Sequence, residues 1–433
     1  MSVQTPSFCS RPVPTLVASD SLVQLGLADH PALLTGDGGW PAETAVPEWR
    51  SVERLAASVP TLAPARTSDE PAFYNPDAPL AEASRAAGTR GFAWAGVSYE
   101  ESSARTADFF AGPSPPYRYY TGSALDSNGK LRPDLRENLP QIAADAASLR
   151  AKVWIGVEGA TTPLHADSQH NFYSQLHGTK TLWLLPPTAA ASLHVYPRLH
   201  PLSHFSRAFP ADPRRAINAT CAADAPEERR AFVVTLSEGE RLYLPPLFFH
   251  AARCDSAACI SLNLWVPSGA MRTLAEADAL PLPFEEKWGT ESRAAATLQF
   301  LTLLLVHIGE DDPPTAAGAE PSCAAGDGPP SALALVRSRW TAADDLLHAD
   351  RPPSGLEAAK CLPPWMPETL LDKFDAYARK RAAVLARIEP AAVRATLVAD
   401  WMEQIAGWAT GAPAPSHDLL ERLRACAAEV GLD

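Results

Sequence analysis

The sequence has no excess of positive charge. Its 37 Lys and Arg residues are outnumbered by 50 Asp and Glu residues, which gives a formal net charge of -13 at pH 7. Proteins that bind nucleic acid draw most of their affinity from clustered Lys and Arg side chains placed against phosphates. The charge balance therefore argues against a general nucleic-acid binder, and a basic peptide substrate is easier to accommodate.

Cysteine pairs at the spacing of metal or redox motifs are also missing. The 7 cysteines are odd in number and scattered, and no two of them form a Cys-x-x-Cys motif. Such usage is typical of reduced thiols in an intracellular protein. We therefore predict free thiols and a cytoplasmic or nuclear location. The positions are Cys9, Cys221, Cys254, Cys259, Cys323, Cys361 and Cys426.

Long apolar runs are scarce. The most hydrophobic stretch, residues 294–308, is shorter than the roughly 20 residues that a membrane span needs and contains Gln299 and His307. Residues 1–14 have no apolar run after a basic patch, so a secretory leader is not expected either. We predict no membrane association, and a buried or dimer-forming helix over 294–308.

The pattern of the chain changes twice along its length. Short β-like runs punctuated by Gly and Pro occupy residues 152–266 and predict an antiparallel sandwich or barrel. Within them, residues 187–231 are loop-rich and long enough to be a functional insertion. After Pro267 the strand signal ends and helical spacing begins. The predicted strands are 153–157, 171–176, 181–185, 232–236, 241–244 and 259–266, and the helices 294–308, 332–348, 369–388, 391–406 and 418–430.

The N-terminal third gives a mixed signal. A strand is predicted over 30–36 and an amphipathic helix over 48–59. Ser98 begins a Ser-x-x-Glu capping box, which predicts a helix from about 99 to 110, and aromatic residues predict a strand over 117–121. We divide the chain into three parts. These are an N-terminal α/β segment (1–120), a β core (121–290) and a helical C-terminal region (291–433) that has a low-complexity linker at 313–330 and is a possible homodimer interface.

One segment combines an imidazole, a carboxylate and a lysine. His165 and Asp167 are two residues apart, so on an extended strand both side chains point to the same side and can hold one ion. A second imidazole from a distant strand would complete the facial set of two His and one carboxylate that suits non-haem Fe(II) oxygenases. We choose His250, which follows a Pro245-Pro246 bend. A His-x-Asp pair alone is more often an ordinary hydrogen-bonded pair, so its surroundings must decide.

The surroundings of this pair form a longer pattern. Its motifs lie at 156–159, 162–167, 169–173, 175–180, 184–187, 196–201, 239–245 and 261–265. Together they resemble the JmjC-domain, cupin-like 2-oxoglutarate oxygenases, and within that family most of all the asparaginyl hydroxylase of hypoxia-inducible factor. Weaker likeness runs from residue 11 to about 290.

The resemblance implies a mainly β core folded as a double-stranded β-helix (a jelly-roll or cupin fold), with surrounding helices. It also implies an Fe(II) site at His165, Asp167 and His250, with 2-oxoglutarate as cosubstrate and dioxygen as oxidant. Residues implied to bind 2-oxoglutarate are Lys180, through a charge-assisted bond to the far carboxylate, and Thr162, Tyr119, Asn171 and Asn263.

Two of these positions have simpler alternatives. Lys180 could be a solvated charge at a strand end. Tyr119 could be an ordinary core aromatic, and a small register change would put Tyr117 or Tyr120 in its place. His170 and His177 lie outside the ligand pattern and are interpreted as structural.

The reaction implied by the resemblance is hydroxylation of a protein side chain, coupled to decarboxylation of 2-oxoglutarate to succinate. Gln169 and Trp265 match peptide-facing positions of the family. His204-Phe205 stand where the asparaginyl hydroxylase presents an Arg-Gln pair to its target amide, which argues against asparagine as the target. We interpret His194, His200 and His204 as a polar surface in preference to a second metal site.

Two other functions stay open. One is hydroxylation of a modified tRNA base, an activity of some JmjC relatives. It would need a local basic patch such as the pairs Arg214-Arg215 and Arg229-Arg230. The other is a non-catalytic module that keeps the barrel for binding proteins.

Overall fold

The computed structural model contains a β core wrapped by helices, with a helical C-terminal region. It describes residues 7–17, 30–35, 51–123, 150–210, 212–220, 225–226, 229–311, 330–340, 344–350, 361 and 367–432. The predicted linker lies outside these residues, apart from Pro330. The strands are β1 (Phe8–Arg11), β2 (Thr15–Val17), β3 (Ala32–Thr35), β4 (Thr61–Ser68), β5 (Glu100–Arg105), β6 (Tyr117–Ser123), β7 (Arg150–Val157), β8 (Thr161–Ala166), β9 (His170–His177), β10 (Lys180–Leu185), β11 (Ile217–Thr220), β12 (Arg230–Leu236), β13 (Arg241–Leu244), β14 (Phe249–Cys254) and β15 (Ala258–Val266).

These strands form two sheets. The six-stranded sheet has the order β11-β1-β12-β10-β14-β8, and the nine-stranded sheet has the order β2-β3-β13-β9-β15-β7-β6-β4-β5. From β7 to β10, and again from β12 to β15, the chain changes sheets repeatedly, and its core neighbours pair antiparallel. This is the winding of a jelly-roll. The predicted double-stranded β-helix with surrounding helices is confirmed.

The inner space between the sheets is apolar on one side and polar on the other. Alternation along β9 sends Phe172 and Leu176 outward, where they pack against Leu55 and Phe109, while Tyr173 points inward. Burial of each such apolar side chain contributes about 1.5–3 kcal/mol. The inner apolar cluster comprises Tyr173, Leu182, Leu184, Phe232, Val234, Leu236, Leu242, Leu244 and Phe248.

A tight turn at Gly178 connects β9 to β10. Gly178 has φ +70°, and a Cβ atom there would lie 2.0 Å from the carbonyl oxygen of Ala258. Only glycine fits a position that combines a left-handed backbone with so close an approach. The turn returns the chain into the barrel, so that Lys180 is 2% exposed.

The helices cover the barrel and build the C-terminal region. The segment Thr290–Gly309 is the one helical stretch in the described residues that is long and apolar enough to cross a membrane by length and composition. Its side chains at Ala294, Leu298 and Leu301 are fully buried against other helices, so the predicted buried helix is confirmed. The helices are α1 (Val52–Ser58), α2 (Ala78–Ala86), α3 (Thr106–Phe109), α4 (Gly269–Asp278), α5 (Thr290–Asp311), α6 (Ala332–Trp340), α7 (Glu368–Leu385), α8 (Ala391–Thr410) and α9 (Pro413–Glu429).

The predicted helix over 99–110 is wrong. Residues Glu100–Arg105 form β5, and only the short α3 follows it. Pairing of β5 with β4 at the sheet edge overrides the local capping signal of Ser98. The same sheet also contains β6, so the predicted boundary at residue 120 falls within a strand.

The prediction of free thiols is wrong for all five cysteines that the structure describes, since each of them, Cys9 included, is in a disulfide. Cys254 ends β14 and Cys259 lies at the start of β15, so the hairpin brings them together in a disulfide. Cys361 and Cys426 form a second disulfide across a sequence separation of 65. Neither pairing has a short motif, because it depends on which elements pack side by side.

Candidate metal centre

Two adjacent strands carry the predicted metal ligands. His165 on β8 is directly opposite His250 on β14 in the antiparallel ladder, and Asp167 follows the end of β8. One ligand atom from each of the three side chains lies within 4.8 Å of the others, and no other group of three or more such side chains is found in the part of the chain that the structure describes. The structure thus brings together the three residues that the sequence predicted.

Backbone carbonyls fix the orientation of both imidazoles. Nδ1 of His165 lies 2.8 Å from the carbonyl oxygen of Pro163, and Nδ1 of His250 lies 3.0 Å from that of Phe248. A carbonyl can only accept, so each Nδ1 carries the proton and each Nε2 keeps a free lone pair. This is the arrangement by which proteins prepare histidines as metal ligands.

The charges of the three groups also suit a cation. Burial lowers the pKa of His165. Burial, together with the neighbouring His165, lowers the pKa of His250 to about 4. Both rings are therefore neutral near pH 7. Burial alone would raise the pKa of Asp167, but the two histidines and the N–H of Trp265 lower it below its usual value. Neutral imidazoles and an ionised carboxylate are the protonation states that metal binding requires.

A further side chain orients the carboxylate. The indole Nε1 of Trp265 donates to Oδ2 of Asp167 at 2.9 Å, and Oδ2 lies 3.6 Å from Nε2 of His250. The backbone N–H of Leu247 donates to the carbonyl of Asp167 at 2.6 Å. Leu247 has φ +59°, a conformation that costs about 1–3 kcal/mol in a non-glycine residue and is often found at functional sites.

Lys180 is a buried lysine that has no anionic partner among the described residues. Within the described residues it forms no ion pair or hydrogen bond through its ammonium, which lies 5.9 Å from the centre of the Tyr173 ring. Burial lowers its pKa to about 7. The alternative of a solvated strand-end charge is therefore wrong, since the side chain lies inside the barrel. An anionic ligand beside this side chain would offset the desolvation and favour its charged form.

The inner face carries polar groups, and some of their buried atoms have no hydrogen-bond partner among the described residues. The hydroxyls of Tyr119 and Thr162 are 2.6 Å apart, and burial raises the pKa of Tyr119 to about 12, so it stays protonated. Asn263 donates to Asn171 at 2.9 Å, which leaves a buried donor on Asn171 and a buried acceptor on Asn263 unsatisfied within the described residues. Such orphaned atoms are rare in native proteins and fit a polar ligand.

A cavity of about 330 Å³ opens onto the triad. Its wall contains Thr162, His165, Asp167 and three residues predicted to meet substrate: Gln169, Trp265 and His204. Residues of the insertion run beside β8, since the N–H of Ala166 donates to the carbonyl of His204 at 3.1 Å. His204 therefore faces the site, and His200 is buried (2% exposed), so the predicted polar surface is wrong for His200.

Comparison with known proteins places this site in a family. A profile described as a cupin-like domain matches residues 27–268, which include all three triad residues. The chain belongs to the cupin-like domain family. The profile covers more than half of the sequence, and the two-sheet barrel is the core that this name denotes.

Similar proteins carry JmjC domains. JmjC domain-containing protein E of Dictyostelium discoideum is 25% identical over 190 residues, which are 34% of this chain and 52% of the relative. The human bifunctional peptidase and (3S)-lysyl hydroxylase JMJD7 is 27% identical over 31% of this chain and 48% of its own length. Lysine-specific demethylase JMJ31 of Arabidopsis thaliana is 26% identical over 30% and 24%, respectively. This cupin-like chain spans about half the length of these relatives or less, and the finer likeness to the asparaginyl hydroxylase stays a prediction.

Sequence reasoning missed several features of this cupin-like site. The hydrogen bond from Trp265 to Asp167 joins two residues that are 98 positions apart in the sequence. Arg150 and Lys152 also line the cavity. Their alternate spacing on a β-like run was the only signal available, and it does not reveal that this face of β7 points inward.

Proposed function

We propose that this protein is an Fe(II)- and 2-oxoglutarate-dependent oxygenase that hydroxylates a protein side chain. The observation that carries the proposal is the cluster of His165, Asp167 and His250, whose two Nδ1 atoms are hydrogen-bonded to carbonyls. Lys180 is buried on the same inner face and has no anionic partner among the described residues. A metal site alone would also fit other cupin-like proteins. The unpaired lysine adds the requirement for an anionic cosubstrate.

The residues present fit both groups. The triad would hold Fe(II), whose preferred ligands in oxygenases are two histidines and one carboxylate. Lys180, with the hydroxyls of Thr162 and Tyr119, would bind the far carboxylate of 2-oxoglutarate, and the free amide atoms of Asn171 and Asn263 offer further polar contacts. When bound, Fe(II) and 2-oxoglutarate would activate dioxygen, which is the oxidant: one oxygen atom would enter a C–H bond of the substrate, and the other would convert 2-oxoglutarate to succinate and CO2.

The protein itself orients and shields the reactants. Trp265 holds one oxygen of the Asp167 carboxylate at 2.9 Å, which limits how that carboxylate can turn. The barrel excludes water from Lys180, so its charge acts at low dielectric on an incoming carboxylate. His204 and Phe205 form part of the cavity wall beside His165, where a substrate side chain would enter. The names of the relatives, a lysyl hydroxylase and a lysine-specific demethylase, support a protein substrate.

Removal of one metal ligand tests the proposal. We expect Asp167→Ala and His250→Ala to reduce succinate formation to background and to weaken Fe(II) binding at least 100-fold, because two ligands remain of three. Succinate is measured by NMR and metal binding by calorimetry. Asp69→Ala, which removes an exposed carboxylate outside the cavity, is the control and should leave both unchanged. Undiminished turnover in both ligand variants would sink the assignment. Failure of the unmodified protein to bind Fe(II) and 2-oxoglutarate together would favour a non-catalytic binding module.

A further inference from the structure

The cavity has one wall that carries positive charge. Arg150 and Lys152 lie at alternate positions on β7, so both side chains point to the same face, and both line the cavity that contains His165 and Asp167. Both are solvent-exposed, which puts them at its mouth. Within the described residues neither makes an ion pair. We call Arg150 and Lys152 the cationic wall.

The cationic wall is close to the triad. In the β7–β15 ladder Arg150 is directly opposite Trp265, and Lys152 is directly opposite Asn263. Trp265 is the residue that donates to Asp167. Adjacent strands are about 4.8 Å apart, so the cationic wall is one strand away from the residue that holds a metal ligand. A group bound there would lie beside the substrate atom presented to the centre.

Positive charge accumulates on this side of the cavity. Desolvation and the charges of Arg150 and Arg66 lower the pKa of Lys152, while Asp167 acts in the opposite direction. Arg66 also donates to the side chain of Asn75, another cavity residue, at 2.6 Å, but its own charge is paired with Glu101 at 3.0 Å, so the unpaired cations of the described cavity are Arg150 and Lys152. Mutual repulsion among cations is a cost that an anionic substrate group would remove.

Two carboxylates also line the cavity, and each already accepts a hydrogen bond from within the protein. Asp77 caps α2 by accepting the N–H of Leu80 at 3.0 Å. The remaining carboxylate of the cavity, Asp167, belongs to the triad. Arg150 and Lys152 are therefore the charged groups of the described cavity that have no structural bond to maintain.

We propose that the cationic wall selects protein substrates in which the target residue is, or directly adjoins, an Asp or Glu side chain. The inference rests on the proposed function and names the substrate class of that site. The net charge of -13 by itself would favour basic peptides. A substrate side chain at the metal centre, however, contacts the cationic wall of the cavity and not the acidic surface of the rest of the protein.

A peptide carboxylate fits better than a nucleic-acid phosphate. Nucleic-acid binders contact about 6–10 phosphates through a broad basic surface. Here two cations line a cavity of about 330 Å³ on a chain with a net charge of -13. This arrangement can bind one or two carboxylates, but it offers no extended track for a phosphate backbone.

Peptide binding without turnover tests the inference. Fluorescein-labelled nonapeptides of alternating Gly and Ala would differ only in the central residue, which is Asp, Asn or Lys. Affinities for the full-length, Fe(II)-supplied protein would be measured by fluorescence anisotropy without 2-oxoglutarate. We expect the Asp peptide to bind about tenfold more tightly than the Lys peptide, with the Asn peptide between them, and the difference to shrink with added salt.

Charge reversal provides the matched variants. Lys152→Glu should abolish or invert the preference for the Asp peptide, and Lys152→Arg should retain it. Lys380→Glu makes the same charge change on an exposed helical position outside the cavity and should leave the ratio of affinities unchanged. Circular dichroism confirms that each variant is folded.

Each result decides for or against the inference. Equal affinities, a preference for Lys, no binding of the Asp peptide, or tighter binding of a labelled tRNA than of the Asp peptide would overturn it. Selective binding of the Asp peptide without succinate formation would leave the inference standing and refute the proposed oxygenase. Succinate formation that depends on Lys peptides would do the reverse.

Discussion

Two cations that are buried to the same degree have opposite surroundings. Lys180, inside the barrel, is 2% exposed, and Arg339, in the helical region, is 3% exposed. No anion among the described residues pairs with Lys180, and burial lowers its pKa to about 7. Burial also opposes the charge of Arg339, but Asp400 at 2.6 Å and Glu403 at 2.9 Å outweigh it and raise the pKa of the guanidinium.

The difference separates a binding group from a structural one. A buried charge without a partner destabilises the fold, so it persists where a ligand neutralises it. A buried charge with two partners holds elements together. Glu403 also accepts the backbone N–H of Arg198 at 2.5 Å, so the helices fix the insertion that carries His204.

The largest expected effect comes from removing an anionic partner of Arg339, so that this buried cation, like Lys180, is less well neutralised. Glu403→Leu removes one of its two carboxylates and leaves the N–H of Arg198 without its acceptor. Loss of one partner from a buried pair costs about 3–5 kcal/mol of unfolding free energy. Urea unfolding measures this loss. The control is Glu421→Leu, which breaks an exposed pair with Arg424 and should cost under about 1 kcal/mol. A loss in Glu403→Leu no larger than that in the control would contradict the structural role.

Removing the unpaired cation should affect ligand binding without weakening the fold. Lys180→Met keeps a long apolar side chain but leaves the far carboxylate of 2-oxoglutarate without its cation. We expect the Kd for 2-oxoglutarate to rise about 100-fold, because a charge-assisted bond at low dielectric is lost. Calorimetry with the metal present measures the change, and Lys373→Met, an exposed helical lysine, serves as the control. An unchanged Kd would show that Lys180 does not bind the cosubstrate.

The same variant makes a prediction about pH and stability. The pKa of Lys180 falls from 10.5 when unfolded to about 7 in the fold, so between these values the unfolded chain binds the extra proton. The destabilisation is complete below pH 7 and disappears as pH rises from 7 to 10.5. Lys180→Met should thus be more stable than the unmodified protein at pH 6, by at most about 5 kcal/mol, and this advantage should shrink by pH 10. Urea titrations without 2-oxoglutarate test this; an advantage that is constant with pH would contradict it.

The smallest effect concerns the hydrogen bond that orients the carboxylate of Asp167. Trp265→Phe removes the N–H that donates to Asp167, and we expect Fe(II) affinity to fall about tenfold. Trp154→Phe is a close control, since Trp154 lines the same cavity and its Nε1 has no hydrogen-bond partner among the described residues. Equal losses in both variants would point to packing as the cause.

Much of the fold was predictable, because alternation of apolar side chains is a local property. The strands over 153–157, 171–176, 181–185, 232–236, 241–244 and 259–266 are confirmed with small shifts of their ends. Local reasoning failed for β5, where pairing with β4 decided the structure. It also failed for the disulfides, where contact between separate elements decided the pairing.

The sequence by itself determined the chemistry of the triad. His165 and Asp167 share a face because residues two apart on an extended chain do so, and the surrounding motifs indicated His250 as their partner. Only the tertiary structure decided how the site is used. Three features depend on which strands are neighbours and which faces point inward. They are the hydrogen bond from Trp265 to Asp167, the burial of Lys180 away from any described anion, and the cationic wall of Arg150 and Lys152. Neighbours and faces are set by packing of the whole chain, whereas the spacing of His165 and Asp167 is set by the chain's local geometry.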